Sequence, residues 1–296
     1  MKFMSFKNNQ KVKVGVLLKN EQYVVDINDL NLSKNYDDML DLIENISDKD
    51  IEIIKNFNFD ENNVKTYSLD CIDICAPIIK PKHDIICIGV NYQEHLNETK
   101  NSFKKGEFIE PKKVVYFSKR VVEAIGNDDY IENDNFTDEL DYEVELAVII
   151  GKKGKNISKE EVKDYIFGYT IMNDISARDL QQQHLQWYRG KSLDTFTSLG
   201  PVIVHKEEIP FPIELDIYSK VNGEIRQKSN TKYLLSDIPS IISEISTGMT
   251  LEPGDIIATG TPSGVGMGFN PPKYMKSKDI VECGIERIGV LRNVVK

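Results

Sequence analysis

Apolar and polar residues alternate at Val12, Val14 and Val16, give way to Lys19-Asn20-Glu21, and resume at Tyr23-Val24-Val25, which predicts a β-hairpin. Helical spacing follows at Met39, Leu40, Leu42, Ile43 and Ile46, then a short alternation at Tyr67, Leu69 and Cys71 that predicts a strand. Residues 76–83, with Pro77 and Pro81, read as a linker, so residues 1–76 are expected to form a small N-terminal domain and residues 77–296 the main one. Beyond the linker the signals are mostly strands: 85–90, 114–118, 142–150, 169–172, 200–204, 214–221 and 256–258. Two helices interrupt them. One opens at Ser158 with a capping box to Glu161 and is expected to close at Gly168, a residue suited to a left-handed cap; the other spans about 237–246. Asn222-Gly223, between two alternating runs, predicts a type I′ hairpin turn. The polar stretch 97–113 suits either a lid or a solvated loop.

Composition narrows the class. With 40% hydrophobic and 28% charged residues the chain is expected to fold, well away from the signature of disorder. A net charge of -10 argues against nucleic acid as partner, because a phosphate backbone needs a clustered basic surface. The first ten residues lack a signal-peptide core, and no apolar run approaches the roughly 20 residues needed to span a bilayer. The expectation is a cytoplasmic protein with no membrane partner. Cys71, Cys75, Cys87 and Cys283 show neither C-x-x-C nor zinc-finger spacing and are expected to be reduced, mostly buried thiols. His83, His184 and His205 have no partner at a suggestive spacing and read as surface or packing residues.

Candidate chemistry lies on the run Asp141-Tyr142-Glu143-Val144-Glu145-Leu146-Ala147-Val148-Ile149-Ile150. A strand has period two, so Glu143 and Glu145 share one face, which Ala147 and Ile149 continue as apolar residues. Two carboxylates roughly 7 Å apart on a half-buried face resist burial unless a cation neutralises them. Taken alone, E-x-E better suits an exposed edge strand with solvated glutamates. Asp174, where a short apolar strand opens into a loop, adds a third carboxylate, and with no paired His or Cys the set suits a hard cation, Mg²⁺ or Mn²⁺, rather than zinc. His95 and Glu98 stand i, i+3 in a helical turn, so the glutamate could orient an imidazole that moves a proton, although a surface pair has the same spacing. Arg178, Gln181, Arg189, Lys191, Lys119 and Arg120 could grip a substrate carboxylate or simply be solvated. The loop 259–266 could hold an anion on its N–H groups, but it is neither a P-loop nor a nucleophile elbow.

Together these segments resemble the fumarylacetoacetate hydrolase family. The likeness is carried by Ile88-Gly89-Val90-Asn91-Tyr92 with His95 and Glu98, by Asp141 to Leu146, by Asn173 to Asp179, by Gly190-Lys191-Ser192 and by Thr259 to Gly264. It implies a mainly β (α+β) fold, a mixed β-sandwich roll with a small N-terminal α+β domain, usually assembled as a homodimer. It implies that Glu143, Glu145 and Asp174 hold one Mg²⁺ or Mn²⁺, and that His95 and Glu98 activate water on a lid. Lys191, Arg178, Gln181 and Thr261 match substrate contacts, with Lys119 a further candidate. Gly268 to Lys273, Lys191 to Thr195 and Ile85 to Ile88 look most like bacterial acylpyruvate hydrolases and oxaloacetate decarboxylases or tautomerases, although Ser118-Lys119-Arg120 departs from the pattern often seen there.

The implied substrate is a small 2-oxo acid whose carboxylate and 2-oxo oxygen a divalent ion could polarise as a Lewis acid. Cleavage of C3–C4 would leave a pyruvate enolate, by hydrolysis of an acylpyruvate or by decarboxylation of oxaloacetate. The same site allows an isomerase or tautomerase that only moves a proton, or a binder of 2-oxo acids or oxalate without turnover. The water-activating pair favours cleavage.

Overall fold

The computed structural model describes residues 1–18, 21–57, 64–102, 112–184 and 186–296. Among them a large mixed sheet runs, in spatial order, through strands Thr66–Ser68, Tyr23–Asp26, Lys11–Leu17, Lys2–Asn8, Thr197–His205, Ile166–Asp174, Val144–Ile150, Ile256–Ala258, Ile85–Gly89 and Val115–Lys119. Asp73–Cys75 pairs with Lys2–Asn8 beside this path. A second sheet is built from Glu224–Asn230, Asp216–Val221, Ile280–Ile285, Gly289–Val295 and Tyr130–Ile131. The fold is mostly β and mixed, as the family resemblance implies.

Val144–Ile150 is buried along its whole length, and its period of two divides the interior. Val144, Leu146, Val148 and Ile150 join a core with Ile217, Val281 and Leu291 of the second sheet and with Ile241 and Ile242 of helix Ile238–Ser246. Ala147 and Ile149 face the other way, into a core with Met172, Leu199 and Ile203 and with Leu42, Ile43 and Ile54 of helices Met39–Asn45 and Asp48–Asn56. Glu145 shares this second face.

Local chemistry explains most boundaries. Asp38 and Asp237 cap their helices by accepting the N–H of Asp41 at 2.8 Å and of Ser240 at 2.9 Å. Asn222 and Gly223 take φ of 52° and 80°, which closes the hairpin between Asp216–Val221 and Glu224–Asn230 as the sequence predicts. The N-terminal hairpin pairs as expected through Gly15 to Leu17; its turn at 19–20 lies outside the described residues. Asp48–Asn56, Lys2–Asn8, Ile280–Ile285 and Gly289–Val295 were not read from the pattern.

Four expectations are corrected. The strand at 67–71 stops at Ser68 and turns through a single 3₁₀ turn, Leu69–Cys71. The strand expected over 142–150 begins only at Val144, because the Glu143 N–H bonds the Asn173 side-chain oxygen at 3.0 Å instead of a ladder partner. The helix after Ser158 is reduced to Val162–Tyr165 and starts from Glu161 without a side-chain cap: the Glu161 carboxylate accepts the Ser158 N–H at 3.2 Å and its hydroxyl at 2.7 Å, but the hydroxyl takes no first-turn N–H, so the expected box does not form. Ile166, Phe167, Tyr169 and Ile171 are β-formers drawn into the sheet, so Gly168 is a strand residue and not a cap. Its reason is closeness: a Cβ there would stand 2.3 Å from the Val204 carbonyl oxygen. Finally, the first part of 97–113 continues helix Gln93–Ser102; 103–111 lie outside the described residues.

Two predictions follow from packing. Gly168→Ala forces the neighbouring backbone to shift and should destabilise the protein by about 1–3 kcal/mol in urea titrations; no change in midpoint would refute the close approach. His205 is 5% exposed, set edge-on against Phe3 and Phe167, and burial lowers its pKa from 6.5 to about 4 despite Glu207. The folded state therefore keeps it neutral while the unfolded chain protonates it, and the stability it contributes, present above pH 6.5, is lost as pH falls toward 4. His205→Leu should lose less stability than wild type between those pH values, and parallel stability curves for the two proteins would contradict this.

A buried carboxylate cluster as the candidate active site

Sheet pairing brings the acidic residues together. Ile166–Asp174 runs antiparallel to Val144–Ile150 with Asn173 opposite Val144, and the Asp174 N–H donates to the Glu143 carbonyl at 2.9 Å. One oxygen from each of Glu143, Glu145 and Asp174 lies within 4.8 Å of the others, and all three residues are buried. Like charges so close, away from water, require compensation.

Three buried cations supply most of it. Lys191, from helix Tyr188–Lys191, donates to Glu143 Oε2 and Asp174 Oδ2, both at 2.8 Å. Lys119, at the end of Val115–Lys119, donates to Asp174 Oδ1 and, at 3.0 Å, to the Ile175 carbonyl. Arg178, at the start of helix Arg178–Gln183, donates through Nε to Asp141 Oδ2 at 2.8 Å and sets Nη2 2.6 Å from Glu143 Oε1. That second contact is an ion pair without hydrogen-bond alignment.

The charges do not balance. Asp141, Glu143, Glu145 and Asp174 are four acids against the three bases Lys119, Arg178 and Lys191, so ionising all four leaves one negative charge in excess. Glu145 is the unmatched group: among the described residues no cation pairs with it, and its carboxylate accepts the Gly260 N–H at 2.8 Å. Gly260 can make that approach because it adopts φ +97°. Burial, reinforced by Asp174 and Glu143, pushes the Glu145 carboxyl well above the usual range. Burial acts on Glu143 in the same direction, but Lys191 and Arg178 overcome it and hold that carboxyl at about 2. For Lys191 burial works against the charge, and Asp174 with Glu143 more than offset it, raising the ammonium to about 12. Lys119, fully buried, is lowered by burial against the pull of Asp174. Three converging carboxylates, one of them without a cation partner and kept from ionising by its neighbours, fit a hard divalent cation, and Glu143, Glu145 and Asp174 are the residues that would hold it.

Beside the cluster lies a pocket of about 300 Å³. Glu143, Glu145, Lys191 and His95 line it, as do Arg178, Gln181 and Thr261. Asp174 and Glu98 stand behind this wall, bonded to Lys191 and His95 of it, and Lys119 lies one bond further back, on Asp174. His95 is 6% exposed, and its Nδ1 lies 2.9 Å from Glu98 Oε2, so the i, i+3 spacing forms the pair it suggests. The Thr261 hydroxyl donates to the Val144 carbonyl at 2.9 Å and accepts from Gln227 Nε2 at 2.7 Å. Gln181 accepts from Arg178 Nη1 at 3.0 Å.

Sequence reasoning passed over Asp141, His184 and Trp187. His184 and Trp187 line the pocket, and Trp187 packs edge-on against Phe117 with ring centres 5.2 Å apart. Trp187 is the chain's single tryptophan and stands four residues before Lys191, which is the signal in the sequence for this wall of the pocket. Asp141 was visible beside the glutamates, but nothing in the spacing disclosed its partners.

Residues 84–296 match the family model for the fumarylacetoacetate (FAA) hydrolase C-terminal region, and the chain belongs to the fumarylacetoacetate hydrolase family. It is 48% identical over 237 residues to oxaloacetate tautomerase YisK of Bacillus subtilis, a match covering 80% of this chain and 77% of that protein. A fumarylacetoacetate hydrolase structure from Exiguobacterium antarcticum superposes with a TM-score of 0.81 at 37% identity, covering 100% of this chain and 99% of that one. The structure of maleylpyruvate hydrolase from Sphingobium in complex with manganese and pyruvate gives 0.75 at 27% identity, covering 100% and 98%.

The charge imbalance predicts that Mn²⁺ binds the purified protein and that Glu145→Ala weakens binding by more than about tenfold, the effect typical of losing even an outer-shell partner. Titration followed by the electron paramagnetic resonance of free Mn²⁺ measures both; equal affinity in wild type and variant would remove Glu145 from the site.

Proposed function

We propose that this chain is a divalent-metal-dependent enzyme that moves a proton at C3 of a small 2-oxo diacid, interconverting the keto and enol forms of oxaloacetate. The observation that carries the reading is the joint placement on one pocket of His95 with Glu143 and Glu145, two carboxylates of the cluster that Asp174 completes from behind. Kinship with an oxaloacetate tautomerase supports the choice of substrate. An ion held by the three carboxylates would supply Lewis acidity toward the 2-oxo and adjacent carboxylate oxygens, which acidifies the C3 protons.

The chain's own groups do the rest. Glu98 takes the Nδ1–H of His95, leaving Nε2 as the acceptor. That nitrogen removes a proton from C3 and returns one to the 2-oxo oxygen, so the carbon skeleton is unchanged and no electrons leave the substrate. Lys191 and Arg178 hold Glu143 and Asp174 in place and keep positive charge beside the oxygen on which negative charge develops.

A second reading has specific support. The His95–Glu98 pair can also activate water or protonate a carbanion, and a structural relative is a maleylpyruvate hydrolase. Cleavage of C3–C4, by decarboxylation of oxaloacetate or hydrolysis of an acylpyruvate, uses the same enolate.

Enol loss followed by ultraviolet absorbance, with pyruvate release assayed in parallel, separates the two. We expect Mn²⁺-dependent acceleration of enol–keto exchange, abolished by EDTA. His95→Ala should lower kcat about 10²–10⁴-fold, the usual worth of general acid–base catalysis, with Mn²⁺ affinity retained. Pyruvate release without faster exchange would transfer the assignment to cleavage, and neither activity on oxaloacetate, acetylpyruvate or fumarylpyruvate would refute both.

A further inference from the structure

The helix that carries His95 and Glu98 rests on a turn, and that turn is tied to the metal-ligand side of the pocket. Glu98 bridges two groups: Oε2 meets His95 Nδ1 at 2.9 Å, while Oε1 accepts the Gly264 N–H at 2.8 Å. Two residues further on, the Gly266 and Met267 N–H groups donate to the Asp141 carboxylate at 2.6 and 3.0 Å. Asp141, fully buried, also accepts from Arg178 Nε at 2.8 Å, and Arg178 reaches Glu143. A continuous polar chain thus runs from the imidazole through the turn 264–268 and Asp141 to a carboxylate of the cluster. Each link is buried or partly buried, where hydrogen bonds to a charged group are strong and directional.

Gly268 closes this seat. A Cβ at Gly268 would stand 2.0 Å from Glu98 Oε1, 2.3 Å from Glu98 Cδ and 2.5 Å from Glu98 Cγ. Unlike Gly260 and Gly264, it does not take a left-handed backbone, so alanine fits its φ, and the three nearest atoms that an added Cβ would meet all belong to the Glu98 side chain. Glycine is therefore required at this position by the docked carboxylate and not by the turn itself.

We propose that Gly268 is a positioning residue for the acid–base pair: its missing side chain admits the Glu98 carboxylate to the turn 264–268, which Asp141 holds fixed relative to the metal ligands. The kinetic consequence rests on His95 and Glu98 acting as proposed above; the seating does not. Two readouts keep those apart. In the full-length Mn²⁺-loaded protein, Gly268→Ala should lower kcat at least tenfold while Mn²⁺ affinity stays within twofold of wild type. In a Glu98→Ala background the same substitution should lower kcat no further, because the group it displaces is gone.

The second readout needs no turnover. Calorimetric Tm values for wild type, Gly268→Ala, Glu98→Ala and the double variant form a cycle, and the Gly268→Ala loss should shrink when Glu98 is already absent. Should Gly268→Ala alone not fold, Glu98→Ala should restore folding. Additive Tm losses, an unfolded variant that Glu98→Ala does not restore, or wild-type kcat in Gly268→Ala would each overturn the proposal. A Tm cycle that couples as expected in a protein that turns over no 2-oxo acid would keep the seat and refute only the proposed function.

Discussion

The buried carboxylates of Glu143, Glu145 and Asp174 could not coexist within 4.8 Å of one another without the cations packed around them, and the surrounding structure is arranged to deliver those cations. Lys119 arrives on a sheet strand, Arg178 at the head of one helix and Lys191 at the end of another, each almost fully buried. An unpaired ammonium or carboxylate in such a place would cost several kcal/mol, so each partner commits the position of the others. Because Lys191 spans Glu143 and Asp174, it also ties together two antiparallel strands at the point where their pairing ends.

The strand Val144–Ile150 makes this arrangement possible. Having a core on each face, it cannot slide by one residue without moving every side chain into the wrong environment, which fixes the register that sets Glu145 beside its neighbours. The site therefore inherits its precision from packing on both sides of one strand. The glycine loop after Ile256–Ala258 draws on the same source, since Ile256–Ala258 pairs directly with Val144–Ile150 and so carries the Gly260 N–H to Glu145.

What could be read in advance followed how local the determinants were. Period two placed Glu145, Ala147 and Ile149 on one face, and Asn222-Gly223 announced its hairpin, because both depend on residues within a few positions of each other. The i, i+3 spacing of His95 and Glu98 gave a real pair for the same reason. Gly168 misled because its determinant is the Val204 carbonyl, 36 residues away, which no local rule contains. Lys2–Asn8 hides likewise: it pairs with Thr197–His205 across the length of the chain. The candidate site was legible as a set of residue types, whereas the way Asp141 joins Arg178 to the turn 264–268 is tertiary and could be seen only once the fold had closed.

The charge count also bears on how a chain of net charge -10 could hold the anionic substrate proposed for it. Far from the pocket its field repels carboxylates, so attraction has to be local. With Glu145 ionised, Asp141, Glu143, Glu145 and Asp174 against Lys119, Arg178 and Lys191 leave one negative charge; a divalent cation bound there would turn this immediate cluster one positive, the right sign for a carboxylate ligand. Had the cluster carried one base fewer, the same ion would only have brought it to neutrality, and an arriving anion would have found no net attraction. Had it carried one more, Glu145 would have had a cation partner without any metal. The four-to-three ratio is thus what a site for a divalent cation followed by an anionic ligand would need.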